Sequence, residues 1–151
     1  MKHTLLNFPS YEFTIKGSGD QEKIFDHIRK KYVVLTPEEW VRQHVIAFLL
    51  SEKNIPAGLT AVEKQIKYNK MSRRADIVVF NSEARPLLIV ECKAPTVEIT
   101  QEAFAQIARY NVAMRVDYLM VTNGINHYYC KMDYVNWTYD FLKTLPEYKN
   151  W

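Results

Sequence analysis

The sequence predicts a chain of the α/β (α+β) class, with a mixed central β-sheet flanked by helices. Three features carry this. An amphipathic helix with a clear start signal follows Thr36, and three strand-like runs come next, between Val62 and Lys93. A second helical stretch then leads into a strand pair closed by Asn123-Gly124. Strands and helices alternating in this way form a sheet whose faces the helices cover.

Each element has its own local signal. Residues 11–17 alternate apolar and polar side chains and read as a strand; 17–21 (Gly-Ser-Gly-Asp-Gln) read as a turn, and 23–34 as further strand material, with a hairpin between the two. Thr36 is an N-cap, Pro37 suits the first helical position, and Glu39 completes a capping box. The helix they start runs to Ser51, with Val41, Val45, Phe48 and Leu49 recurring at helical spacing, and stops at 53–58 (Lys-Asn-Ile-Pro-Ala-Gly). Residues 62–68, 76–80 and 87–93 are strands. The third is apolar on both faces, as a central strand is, and Pro95 ends it. Residues 100–114 form a helix with Phe104, Ile107 and Ala108 on one side; 118–122 and 126–132 are strands around the Asn123-Gly124 turn. The aromatic tail, 133–151, is expected to pack on the sheet at no assigned position.

A chain of 151 residues is about one domain, since domains run to roughly 100–200 residues. It divides into an N-terminal strand segment (1–35), a core (36–132) and the tail (133–151). A hydrophobic share of 48% supplies a core, and 25% charged residues with few Gly and Pro exclude long disorder. The net charge of +3 is too mild to define a partner. Cys92 and Cys130 form no CxxC or zinc pattern and read as buried thiols of a reducing compartment. With no leader-like start and no membrane-length apolar run, the expected location is cytoplasmic, with no membrane partner. The four histidines lack ligand spacing, and no Ser/His/Asp arrangement is suggested.

The chemistry concentrates in 73–93. If 76–80 and 87–93 form a symmetric hairpin around 81–86, Phe80 opposes Leu87 and Asp76 opposes Glu91. Opposed residues share a face with Cβ atoms roughly 4.5–5.5 Å apart. Two carboxylates that close repel, and a divalent cation with oxygen ligands would compensate them. Lys93, two residues past Glu91, falls on the same face, while Cys92 points the other way into the core. Such a surface can hold Mg²⁺, orient a water and stabilise charge on a phosphate.

The pattern Asp, spacer, Glu-x-Lys on adjacent strands resembles the signature of the PD-(D/E)xK nuclease superfamily. Thr-Pro-Glu-Glu-Trp-Val-Arg-Gln (36–43), Arg-Arg-Ala-Asp-Ile (73–77), Val-Glu-Cys-Lys-Ala-Pro (90–95), Gln-Ile-Ala-Arg-Tyr (106–110) and Val-Thr-Asn-Gly (121–124) resemble the N-terminal nuclease domain of type I restriction enzyme R subunits, in a short stand-alone form. The resemblance implies a restriction-endonuclease-like fold and a DNA endonuclease using Mg²⁺ or Mn²⁺. It makes Asp76 and Glu91 metal ligands and gives Lys93 the attacking water and the phosphate. Gln106 and Tyr110 match the family's QxxxY element, supporting the site or touching DNA. Glu39 would be an accessory acid from the first helix. R subunits continue into an ATP-driven translocase, but this sequence has no GxxxxGK[ST] loop. It would therefore cut DNA without its own motor or borrow one, with a separate motor or specificity subunit as a candidate partner.

Several of these residues have a plainer role open to them. Gln106 and Tyr110 also suit a polar helix face, and Glu39 suits the capping box alone. The run Lys64, Lys67, Lys70, Arg73 and Arg74 suits a solvated face, or DNA phosphates beside the acidic site. In the assumed register Arg74 would oppose Lys93. A non-catalytic DNA-binding or assembly module is the alternative function. The edge strands and tail leave room for a homodimer.

Overall fold

The structure is a computed structural model and describes residues 3–151. The first two residues of the N-terminal segment lie outside the described residues. Strands β1 (Ile15–Lys16), β2 (Lys23–Asp26) and β3 (Lys31–Val34) form a small antiparallel sheet in that order. Helix α1 (Pro37–Ser51) follows. Then come β4 (Thr60–Tyr68), β5 (Met71–Phe80), β6 (Pro86–Cys92), α2 (Gln101–Ala113), β7 (Tyr118–Thr122), β8 (His127–Asp133) and β9 (Thr138–Leu142). The last six strands make one sheet in chain order. Only β6 and β7 within it pair in parallel. A parallel neighbour needs a long crossover, which α2 provides. The expected α+β class with a mixed sheet is what is found.

The two faces of the large sheet have different helices. Ile77, Val79, Leu88, Val90 and Met120 pack with Val41, Val45 and Leu49 of α1. Val78, Ile89, Leu119 and Val121 pack with Phe104 and Ala108 of α2. Alternation along β6 and β7 sends successive residues to opposite helices, which is why both strands are apolar throughout. Val41, Val45 and Leu49 are fully buried, each worth about 1.5–3 kcal/mol against exposure.

Strands β4 and β5 break this alternation at one place. Ile77 packs toward α1 and Ala75 toward α2, although residues two apart normally share a face. Their ladder steps from Val62–Ile77 to Lys64–Ala75, passing over Glu63 and Asp76. Glu63 has a left-handed backbone (φ 51), a conformation that costs a non-glycine residue roughly 1–2 kcal/mol. The β5–β6 ladder begins at Ile77–Val90, so Asp76 belongs to neither ladder.

Four local expectations are corrected. Phe80 opposes Pro86, not Leu87, because an irregularity falls between Val79 and Phe80. The strand expected over 11–17 is paired only at Ile15–Lys16, and the turn after it is a 3₁₀ turn, Gly19–Gln21. The 23–34 stretch is itself a hairpin, β2–β3. Thr36 accepts from the Glu39 backbone N–H at 3.0 Å, but its own N–H goes to Val34 and the Glu39 carboxylate to arginines, so only half of a capping box forms. The tail supplies β9, then buries Leu145 and sets Trp151 against Tyr118 at 5.2 Å between rings.

Candidate functional site

The β5–β6 ladder, continued one residue past Ile77–Val90, brings Asp76 opposite Glu91 despite the shift at its other end. Beyond that point the two strands fork. The Cys92 N–H donates at 2.8 Å to Asp76 Oδ2, so a side chain stands where a ladder carbonyl would be. The Lys93 N–H continues to Thr122 on the β7 side. Asp76 and Glu91 side chains are 15% and 12% exposed, two carboxylates largely withdrawn from water.

Withdrawal has an electrostatic result. Burial pushes the Glu91 carboxyl up to about 7; the Arg73 and Lys93 charges pull down, while Asp76's charge and hydrogen bond push up. The Glu91 carboxyl thus lies in the field of Asp76 and of Lys93. Cys92 points into the core on the α1 side, and burial raises its thiol well above the usual range.

Each carboxylate also has a guanidinium. Arg42 of α1 donates to Asp76 Oδ1 at 2.7 Å, and Arg73 of β5 bonds Glu91. Neither pairing follows from the sequence pattern, which leaves the compensation to a cation. Arg42 lies four residues before the buried Ile46 and three before Val45, so a charge on the core-facing stripe of α1 was the available signal. Hydrogen bonding to Asp76 and the charge of Glu39 outweigh burial and hold Arg42 more firmly protonated.

Glu39 stands behind this pair. It accepts from Arg42 at 2.7 Å, Arg29 at 2.9 Å and Gln43 at 3.1 Å, with its carboxylate buried. Its neighbour Glu38 is the α1 acid in the field of Asp76 and Lys93. Burial raises its carboxyl, Asp76 adds to this, and Arg42 and Lys93 oppose it. Glu63 pairs with Arg74 at 2.9 Å and lies 3.7 Å from Arg42.

The helix face expected to carry a role lies beside Arg73. Tyr110 is 45% exposed, and the Arg73 guanidinium sits 5.3 Å from its ring centre. Gln106 and Tyr110 line a cavity of about 290 Å³ with Met71 and Arg109. Lys67 and Lys70 are exposed around the β4–β5 turn. Arg74 opposes Gln65 and pairs with Glu63, so the expected face-to-face placement with Lys93 does not occur. His44 is a buried helix residue bonded to the Trp40 carbonyl.

The family model for the type I restriction enzyme R protein N terminus (HSDR_N) matches residues 37–146. The chain belongs to that family. The matched span contains Asp76, Glu91, Lys93, Gln106 and Tyr110, and begins after Asp26 and Arg29. Among solved structures, the chain is similar to a fragment assigned as the HsdR subunit of a type I restriction enzyme from Vibrio vulnificus YJ016, at 18% identity and a TM-score of 0.48. That match covers 74% of this chain and 24% of the other, so the chain spans about a quarter of that fragment's length. No curated protein matches it. Among the described residues no helix is long and apolar enough to cross a membrane.

This HSDR_N chain has donors that suit a hard divalent cation. Asp76 and Glu91 offer only oxygen, and burial together with the Asp76 charge raises the proton affinity of Glu91, a strain a cation relieves. Among the described residues no three His, Cys, Asp or Glu side chains converge as a ready ligand set. That is compatible with Mg²⁺, which binds through one or two carboxylates and takes its other ligands from water and phosphate.

Proposed function

We propose that this chain is a metal-dependent DNA endonuclease of the PD-(D/E)xK kind, hydrolysing phosphodiester bonds at Asp76, Glu91 and Lys93. One observation supports this: Asp76 and Glu91 stand at the fork just beyond the Ile77–Val90 pair of β5 and β6, with the charges of Asp76 and Lys93 acting on the Glu91 carboxyl. Asp76 and Glu91 would hold Mg²⁺ or Mn²⁺, which supplies Lewis-acid stabilisation of phosphate charge and a more acidic water. The Lys93 ammonium orients the water that attacks phosphorus in line and balances charge on the phosphate. The Arg73 Nη1 is buried and has no protein partner. Tyr110 lies beside that guanidinium, and with Gln106, Met71 and Arg109 it lines a cavity.

Lys67, Lys70 and Arg74 neutralise backbone phosphates without reading sequence. One such centre cuts one strand, so a double-strand break takes a second copy or a second visit. Membership of the R-subunit family supports action alongside a separate motor or specificity subunit.

A second reading, a non-catalytic DNA-binding or assembly module, is favoured by the arginines that already neutralise both carboxylates. Cleavage of plasmid and single-stranded DNA with Mg²⁺ or Mn²⁺ separates the two. Metal-dependent cutting by the native protein is expected, abolished by Asp76→Ala and by Lys93→Ala. Intact DNA binding without cutting in any metal would leave the module.

A further inference from the structure

A chain of buried ion pairs runs from the N-terminal hairpin to the candidate metal site. Asp26, at the end of β2, has a side chain with no exposure; its Oδ1 accepts from the Ile28 and Arg29 N–H groups, both at 2.8 Å. Asp26 Oδ2 accepts from Arg29 Nε at 2.8 Å and Gln43 at 2.9 Å. The far end of the same guanidinium reaches Glu39 at 2.9 Å, and Arg42 bonds the same Glu39 oxygen at 2.7 Å. Arg42 then grips Asp76 Oδ1 at 2.7 Å, while the Cys92 N–H takes Oδ2 at 2.8 Å.

We infer that Arg29 and Arg42 are positioning residues for Asp76, so that the hairpin turn at Asp26 and Arg29 forms part of the active-site scaffold. This rests on Asp76 being a metal ligand. Asp76 stands outside both neighbouring ladders, so backbone pairing does not fix it. Its carboxylate is held instead by two donors from opposite sides. One is a strand amide; the other is an arginine held by Glu39 at 2.7 Å, with a longer bond of 3.2 Å to Glu38 and Glu63 at 3.7 Å. Glu39 in turn has its second oxygen on Gln43 and its first shared with Arg29. A planar guanidinium passes on orientation because its donors are fixed relative to one another. Partners behind a metal ligand commonly set affinity this way. Asp26 and Arg29 precede the span matched by the family model, so the contribution comes from chain outside it.

The test uses Arg29→Gln, because Arg29 bonds Asp26 and Glu39 and contacts Glu63 but does not touch Asp76. Its first readout is the Cys92 backbone amide in ¹⁵N NMR spectra of the metal-free protein, assigned with the help of Asp76→Asn. That signal reports the hydrogen bond to Asp76 directly. Its shift should move toward that of Asp76→Asn, with faster hydrogen exchange, while amides of β8 stay in place. The second readout is Mn²⁺ binding by calorimetry, expected to weaken about tenfold or more. In DNA cleavage, kcat should fall with KM for DNA unchanged. Arg29→Lys keeps the charge and should restore part of each effect; it also carries the measurement if Arg29→Gln does not fold. An unmoved Cys92 amide in the folded variants would overturn the inference. So would a moved amide with native Mn²⁺ affinity. A native protein that binds no Mn²⁺ would overturn both the metal reading and the positioning role built on it. The amide would then show only whether Arg29 supports the fold around Asp76.

Discussion

Single residues here act through where their backbone stands. Gly124 has φ +86, and a Cβ there would lie 2.8 Å from Leu6 Cδ2 and 3.1 Å from Val41 Cγ2. Gly124→Ala should therefore lose about 1–3 kcal/mol in denaturant unfolding, from crowding and a left-handed backbone together. The Asn123-Gly124 pair announced its turn in the sequence. Its second task, clearance for Leu6, depends on a contact from far along the chain and had no local trace. The nearness of Asp76 to Glu91 was legible for the opposite reason: they lie on adjacent strands, where a period of two and a short connection decide who meets whom, and Lys93 follows one residue past the end of β6. Their arginines were not. Arg42 is 34 positions from Asp76, and nothing in local spacing pairs them.

At the scale of elements, α1 was the easiest to find, because cap, proline and apolar stripe agree on one boundary. The N-terminal hairpin was hard, because its strands are only two to four residues long and are held by side chains more than by ladders. Asp26 is the centre of that hold. Burial alone would raise its carboxyl, but hydrogen bonds from the Arg29 backbone and guanidinium and from Gln43 outweigh it and bring it below the ordinary 3.8. A carboxylate with a lowered folded value stabilises fully above its unfolded value and loses that contribution as pH falls through the folded one. Acid unfolding followed by circular dichroism should thus show a stability loss below about pH 3.8 that is shallower in Asp26→Asn. Asp26→Ala, which leaves the Ile28 and Arg29 N–H groups and part of the half-buried Arg29 guanidinium without an acceptor, should cost about 1–3 kcal/mol at neutral pH.

For the whole molecule, one sheet with a helix on each face was readable from the order of strands and helices. The ending was not. The tail's aromatic residues promise packing without saying where. The structure uses them in two ways, as a sixth strand and as a cover in which Leu145 is 1% exposed. Leu145→Ala should lower stability by about 2–5 kcal/mol in urea titration, on the scale of a core leucine. A loss under 0.5 kcal/mol, the scale of a surface substitution, would show that the tail is not part of the core.

The sheet's two margins differ in how they meet another copy of the chain. Strand β4 carries Lys64 and Lys67 along its free side, and lysines on an open margin discourage a foreign strand from joining. Strand β9 has no lysine and leaves Phe141 60% exposed, with Trp137 61% exposed just before it. Lys67, proposed as a phosphate contact, would thus also guard β4 against self-association, and replacing it to weaken DNA binding would remove that guard as well.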